Sequence, residues 1–126
     1  MADLKVLAMQ EPVRVDARRL GEIVDELGET AAHNIICAAL EQLAQAMADL
    51  REAAMQGDMA LLLSRAELLS RLAWQVGLTS LASVAVDVAG CAERRDETGL
   101  AATLARLMRI GNRSLTEIWD DGPVGA

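Results

Sequence analysis

The chain has no Phe and no Tyr, only two Trp, two Pro, two Cys and a single His. Without large aromatics the core must be aliphatic, and the wealth of Ala and Leu favours packed helices over strands, which draw on β-branched and aromatic residues. Two Trp are also too few to build a platform for stacked bases. Cations are in deficit, because 12 Lys and Arg face 19 Asp and Glu for a formal net charge of −7. That balance repels phosphate backbones, so nucleic acid is not an expected partner. No apolar run approaches the length of a membrane span, and no basic segment leads into a hydrophobic stretch at the N-terminus; a cytoplasmic protein without a membrane segment is expected. Cys37 and Cys91 lie far apart, show no Cys-x-x-Cys or Cys/His ligand spacing, and each sits in a helical, mostly apolar context. Two buried free thiols are expected, with no disulfide, metal or cofactor.

What is present fits one domain. The 126 residues, 52% of them apolar, suffice for a single core and leave no room for a second. Met1 to Val15 has no helical period and reads as an N-terminal arm whose role is open, with Glu11-Pro12 breaking it. Asp16 is a plausible N-cap for a short helix with Leu20, Ile23, Val24 and Leu27 on one face, ended by Gly28. From about Glu29 to Gln56, Ile36, Leu40, Leu43, Met47, Leu50 and Ala54 recur at alternating four- and three-residue steps. Gly57-Asp58 then supplies a turn and a cap for a helix over about Met59 to Val76, with Leu62, Ala66, Leu69, Ala73 and Val76 inward and Gly77 as its stop. Thr79 or Ser80 is expected to cap a third long helix carried by Leu81, Val84, Val88 and Cys91 or Ala92. Asp96 caps a fourth with Leu100, Leu104, Leu107, Leu115 and Ile118. Short loops make neighbours antiparallel, so the spacing predicts an all-α, up-down-up-down four-helix bundle with an additional short N-terminal helix. The bundle domain is expected over residues 16–119, and Asp120 to Ala126 is a small C-terminal tail.

One segment carries more than architecture. Ala66-Glu67-Leu68-Leu69-Ser70-Arg71-Leu72-Ala73-Trp74-Gln75-Val76-Gly77-Leu78 resembles the phosphorylation segment of histidine-containing phosphotransfer (HPt) domains. That family's pattern runs Ala-His-x-Leu-Lys-Gly and then, six residues on, Gly followed by an apolar residue. Ala66, Leu69, Ala73, Val76, Gly77 and Leu78 fit it, whereas the family's His, Lys and Gly fall on Glu67, Ser70 and Arg71. The resemblance runs from about Asp16 to Trp119 and implies a bundle that keeps the scaffold and has lost the phosphoryl acceptor.

Phosphoryl relay needs a neutral exposed imidazole as nucleophile, a cation beside it and an uncrowded approach. Glu67 supplies no nucleophilic ring and lacks the acid cluster of a receiver-type acceptor, and Arg71 fills the space a glycine would leave. A non-catalytic protein is therefore expected. Taken alone, Glu67 and Arg71 read as an i,i+4 solvent pair worth about a few tenths of a kcal/mol. Their company changes that reading: Ala60, Leu63, Glu67, Ser70, Arg71 and Trp74 form one stripe pointing away from the inferred core, with Met59 at its edge. A Trp and a Leu around a charged pair suit a protein interface, and the resemblance implies a receiver domain or histidine kinase as the partner there. The competing reading has the N-terminal arm covering Trp74 and Leu63.

His33 is the one remaining candidate acceptor. It lies one helical step before Ile36, with neither Lys nor Gly at the offsets the chemistry wants, and reads as a packed or helix-end residue. A single histidine assembles no hydrolytic triad, and no Gly-rich phosphate loop is present. Arg106, Arg109 and Arg113 stripe the last helix while Glu22, Asp25, Glu26, Asp49 and Glu52 load other faces with acid, a pattern of solvated faces that could also orient an acidic partner or a second copy. The reading from a different class is a homodimeric structural or adaptor protein that self-associates through Trp74 and the apolar edge of the first long helix.

Overall fold

The structure, a computed structural model, describes residues 13–121, with side chains through Thr116. The described residues form five helices, α1 (Ala17–Leu27), α2 (Glu29–Gln56), α3 (Met59–Gln75), α4 (Thr79–Arg94) and α5 (Glu97–Asp121), and no strand. The fold is all-α. Each helix packs on the next from α2 onward, α1 packs on α2, and α2 also touches α5. No helix of the described residues is long and apolar enough to cross a membrane.

The helix boundaries come from local chemistry. Asp16 caps α1 by accepting from the Arg18 and Arg19 amides, Asp58 caps α3 by accepting from Leu61, and Asp96 accepts from Gly99 at 3.0 Å in the first turn of α5. Three helices end in the same way, with a residue at positive φ followed by an amide that reaches back five residues: Asp58 to Ala53, Leu78 to Ala73, and Asp96 to Cys91. The positive-φ residue is Gly57, Gly77 and, at the end of α4, Arg95 at φ 54°. Gly28, expected to sit in the left-handed helical region, has φ 83° but ψ 162° and serves as the hinge between α1 and α2.

Thr79 and Ser80 do not cap α4. That role falls to Leu78, which offers no side-chain cap, because both hydroxyls face the N-terminal segment instead. Thr79 Oγ1 donates to the Arg14 carbonyl at 3.1 Å, and the Arg14 amide donates to Ser80 Oγ at 2.7 Å. A hydroxyl at a helix start can satisfy the helix or a strand of chain lying beside it, and here the neighbour wins. Val13 and Val15, on either side of Arg14, are partly buried against the core. Thus the end of the arm is stitched to the α3–α4 corner, while Met1 to Pro12 lie outside the described residues.

Among the described residues the core is a single cluster without aromatics. Leu20 of α1, Ile36, Leu43 and Leu50 of α2, Leu62 and Leu69 of α3, Leu81, Val84 and Val88 of α4, and Leu107 of α5 are fully buried. Each contributes about 1.5–3 kcal/mol relative to exposure. Small residues set how closely the elements approach: Ala66 and Ala73 on α3 and Ala82 and Ala85 on α4 are all buried, and a Cβ on Gly111 of α5 would run into the Met47 thioether of α2. Leu27 departs from the expected inward face of α1, being 47% exposed at the last residue of the helix. Cys91 is a buried free thiol as the pattern predicts, whereas Cys37 is only half-buried.

Candidate functional site

Helix α3 turns Leu62, Ala66, Leu69 and Ala73 inward, and the 100° step between residues then carries Glu67 and Arg71 to the opposite side, where both are exposed. Ala60 is exposed and Leu63 half-buried on the same stripe. Trp74, one turn beyond Ser70 and Arg71, is 55% exposed; the reading in which the N-terminal arm covers it falls largely on residues 1–12, outside the described residues. The stripe therefore displays five of the six residues singled out.

Ser70 is the exception and corrects the sequence reading. It is 8% exposed, and its hydroxyl donates to the Ala82 carbonyl of α4 at 3.3 Å. Position 70 sits about 60° from Glu67 toward α4, and the small Ala-lined contact between the two helices brings that flank under cover. Ser70 is a tie between helices and part of the floor of the site, not a surface contact.

The floor belongs to an open groove of about 420 Å³ between α3 and α4. Leu63, Glu67, Ser70 and Arg71 line one wall; Val86, Ala89, Gly90 and Glu93 line the other. The second wall was not singled out from sequence. Its signal was available in the i, i+3, i+4, i+7 spacing of those four residues on the outward side of α4, but nothing local says that this face lies beside the α3 stripe. Val86 is 55% exposed, a β-branched side chain held out in solvent across from Glu67. At Gly90 a Cβ would come first against the flexible Arg94 guanidinium, 3.1 Å away, so the absent side chain leaves the groove wall low.

Electrostatically the groove is mixed. Glu67 and Glu93 supply negative charge and Arg71 positive charge, and no ion pair joins Glu67 to Arg71 among the described residues. The expected i,i+4 pair is not formed, leaving both charges to solvent or to a visitor. Beside the groove, Asp87 is engaged by Arg106 of α5 at 3.7 Å, which takes one member of the basic stripe out of play as a free patch.

His33 is not packed. It lies in the second turn of α2, exposed, with Nε2 3.6 Å from Cys37 Sγ. The buried stripe of α2 runs Ala32, Ile36, Leu40, and the 100° step past Ala32 carries His33 out of it, so of the two positions expected, packed or near the helix end, only the second holds. His33 is on α2 and takes no part in the α3–α4 groove.

No protein-family model, curated protein or solved structure matches the chain.

Proposed function

We propose that the helices form an antiparallel up-down-up-down four-helix bundle with α1 as an added N-terminal element, and that the protein is a non-catalytic, HPt-like module of a bacterial two-component phosphorelay. It binds a receiver domain or a histidine kinase through the α3–α4 groove and carries no phosphate itself. One observation supports the reading above the others: an exposed carboxylate, Glu67, stands beside an open and partly apolar groove at the position where the resemblance would put the phosphohistidine. Val86 in the groove wall and Trp74 farther along α3, both exposed, are the large apolar anchors that a protein partner would bury. A fixed anion in place of a transferable phosphoryl group would let the module compete with, or hold in place, genuine phosphotransfer partners.

The test mixes the purified protein with phosphorylated receiver domains and with histidine kinases. No label transfers, at least one receiver or kinase is retained in a pull-down, and Trp74→Ala or Glu67→Lys weakens that retention. Label on His33 overturns the assignment of roles.

A second reading, a homodimeric adaptor, is favoured by one observation: Ile35 on α2 is 48% exposed as well as Trp74. Light scattering separates the two readings. A tight dimer that buries Trp74 occupies the docking surface and leaves no place for a signalling partner.

A further inference from the structure

We propose that the N-terminal arm docks on its own bundle, with Leu4 to Met9 seated in an apolar cleft between α2 and α5. These two helices touch over a shorter stretch than α2 with α3, α3 with α4 or α4 with α5. Two adjoining cavities of about 360 and 280 Å³ open along their seam and share Arg51, Met55 and Met108. Met47 is buried at the floor, Leu104 and Leu115 mark the two ends, and Met55 stands 74% exposed. Thioether side chains open to water on both walls adapt readily to an apolar segment laid across them.

The place where the described chain begins favours this occupant. Traced backward, the chain passes from Asp16, bonded to Gly77 at the end of α3, to Arg14, bonded to Thr79 and Ser80 at the head of α4. It is thus leaving α3, and the next helix in that order is α5, which packs on α4. The level is right as well: a Cβ on Gly111 of α5 would stand 3.5 Å from Leu81, the neighbour of Ser80, and would run into Met47 at the cleft floor. Gln10 to Pro12 then suffice to cross α5, whose axis lies about 8–10 Å from those of its neighbours. Leu104 to Leu115, at about 1.5 Å per residue, make the cleft about 16 Å long, and Leu4 to Met9, extended at about 3.3 Å per residue, cover the same length. That stretch of the arm holds Leu4, Val6, Leu7 and Met9, and its charged neighbours Asp3 and Lys5 match Arg51 and Glu52, the charges lining the cleft. A short tether also gives the arm an effective concentration that a separate molecule does not have. The cleft takes no residue from the α3–α4 groove.

Methyl-resolved nuclear Overhauser spectra of the full chain test it. The expected result is contact from the methyls of Val6 and Leu7 to those of Met108 and Leu115. Removing residues 1–10, and separately Leu7→Asp in the full chain, shifts the Met55 and Met108 methyl resonances and leaves those of Leu63 and Val86 in place, with circular dichroism verifying that both variants remain helical. Arm methyls that contact no methyl of the bundle, or that contact Leu63 and Val86 instead, overturn the proposal. So do contacts that appear only between differently labelled molecules in a mixed sample, which would make a second copy the occupant.

Discussion

Asp16 and Gly77 meet backbone to backbone: the Asp16 amide donates to the Gly77 carbonyl at 2.6 Å, and a Cβ on Gly77 would stand 2.8 Å from the Asp16 carbonyl oxygen. Gly77 also has φ 78°, a region that L side chains rarely adopt. The residue that stops α3 therefore seats the N-cap of α1 as well, and Arg19 reinforces the seat by donating from Nε to the Gln75 carbonyl at 3.0 Å. Gly77→Ala combines positive-φ strain with a clash against backbone that cannot rotate away. It is expected to destabilise the fold by about 2 kcal/mol or more, read as a lower urea midpoint with the slope unchanged.

Arg95 calls for the opposite substitution. It ends α4 at φ 54° and ψ 39°, the conformation that Gly57 supplies at the end of α2 without a side chain to strain. Its residue type adds nothing to the cap, since the Arg95 and Asp96 amides make the bonds to Ala92 and Cys91. Arg95→Gly is expected to stabilise by about 0.5–1 kcal/mol, seen as a rise in Tm; a fall would mean that the arginine side chain holds something that its cap geometry does not show.

Ser114 is fully buried in α5, and its hydroxyl has no hydrogen-bond partner among the described residues. Desolvating a hydroxyl without a partner costs about 1–3 kcal/mol. Ser114→Ala removes that group for the loss of one oxygen's volume and is expected to stabilise by up to about 1 kcal/mol. Chemical denaturation measures it, and destabilisation would contradict the assignment.

Much of the fold is written in short-range signals. Asp16, Asp58 and Asp96 are acids just ahead of apolar periodicity, Gly77 follows directly on Val76 and Gly57 comes three residues after Ala54, so caps and stops can be read without knowing what lies nearby. Two of the departures involve a choice between a local and a distant partner. Thr79 and Ser80 look like caps but bond to Arg14, some 65 residues earlier in the chain. Ser70 lies at the flank of an outward stripe, and only the approach of Ala82 turns it into a buried tie. For the candidate site, the α3 wall follows from helical spacing, whereas Val86, Gly90 and Glu93 join it only through the pairing of α3 with α4. Arg95 gives no sign of a left-handed cap because its side chain is an ordinary helix former.

Trp74 separates stability from binding. With 55% of its surface exposed it contributes little to the folded state, and Trp74→Ala is expected to shift unfolding free energy by no more than about 0.5 kcal/mol. If Trp74 anchors a partner, the same change weakens that complex by about 2 kcal/mol or more, roughly thirtyfold in Kd. Paired denaturation and calorimetric binding curves check both halves. A large loss of stability would mean that Trp74 is a packing residue and not a surface anchor.

The central claim is that the α3–α4 groove receives a signalling partner without accepting phosphate. Nitrogen–proton correlation spectra of the labelled protein, recorded while an unlabelled receiver or kinase domain and a phosphodonor are added, test it most directly. The account predicts perturbed amides along Leu63 to Trp74 and Val86 to Glu93, together with an unchanged phosphorus content. Perturbations confined to another face, or a phosphoryl group on the protein after the reaction, would contradict it.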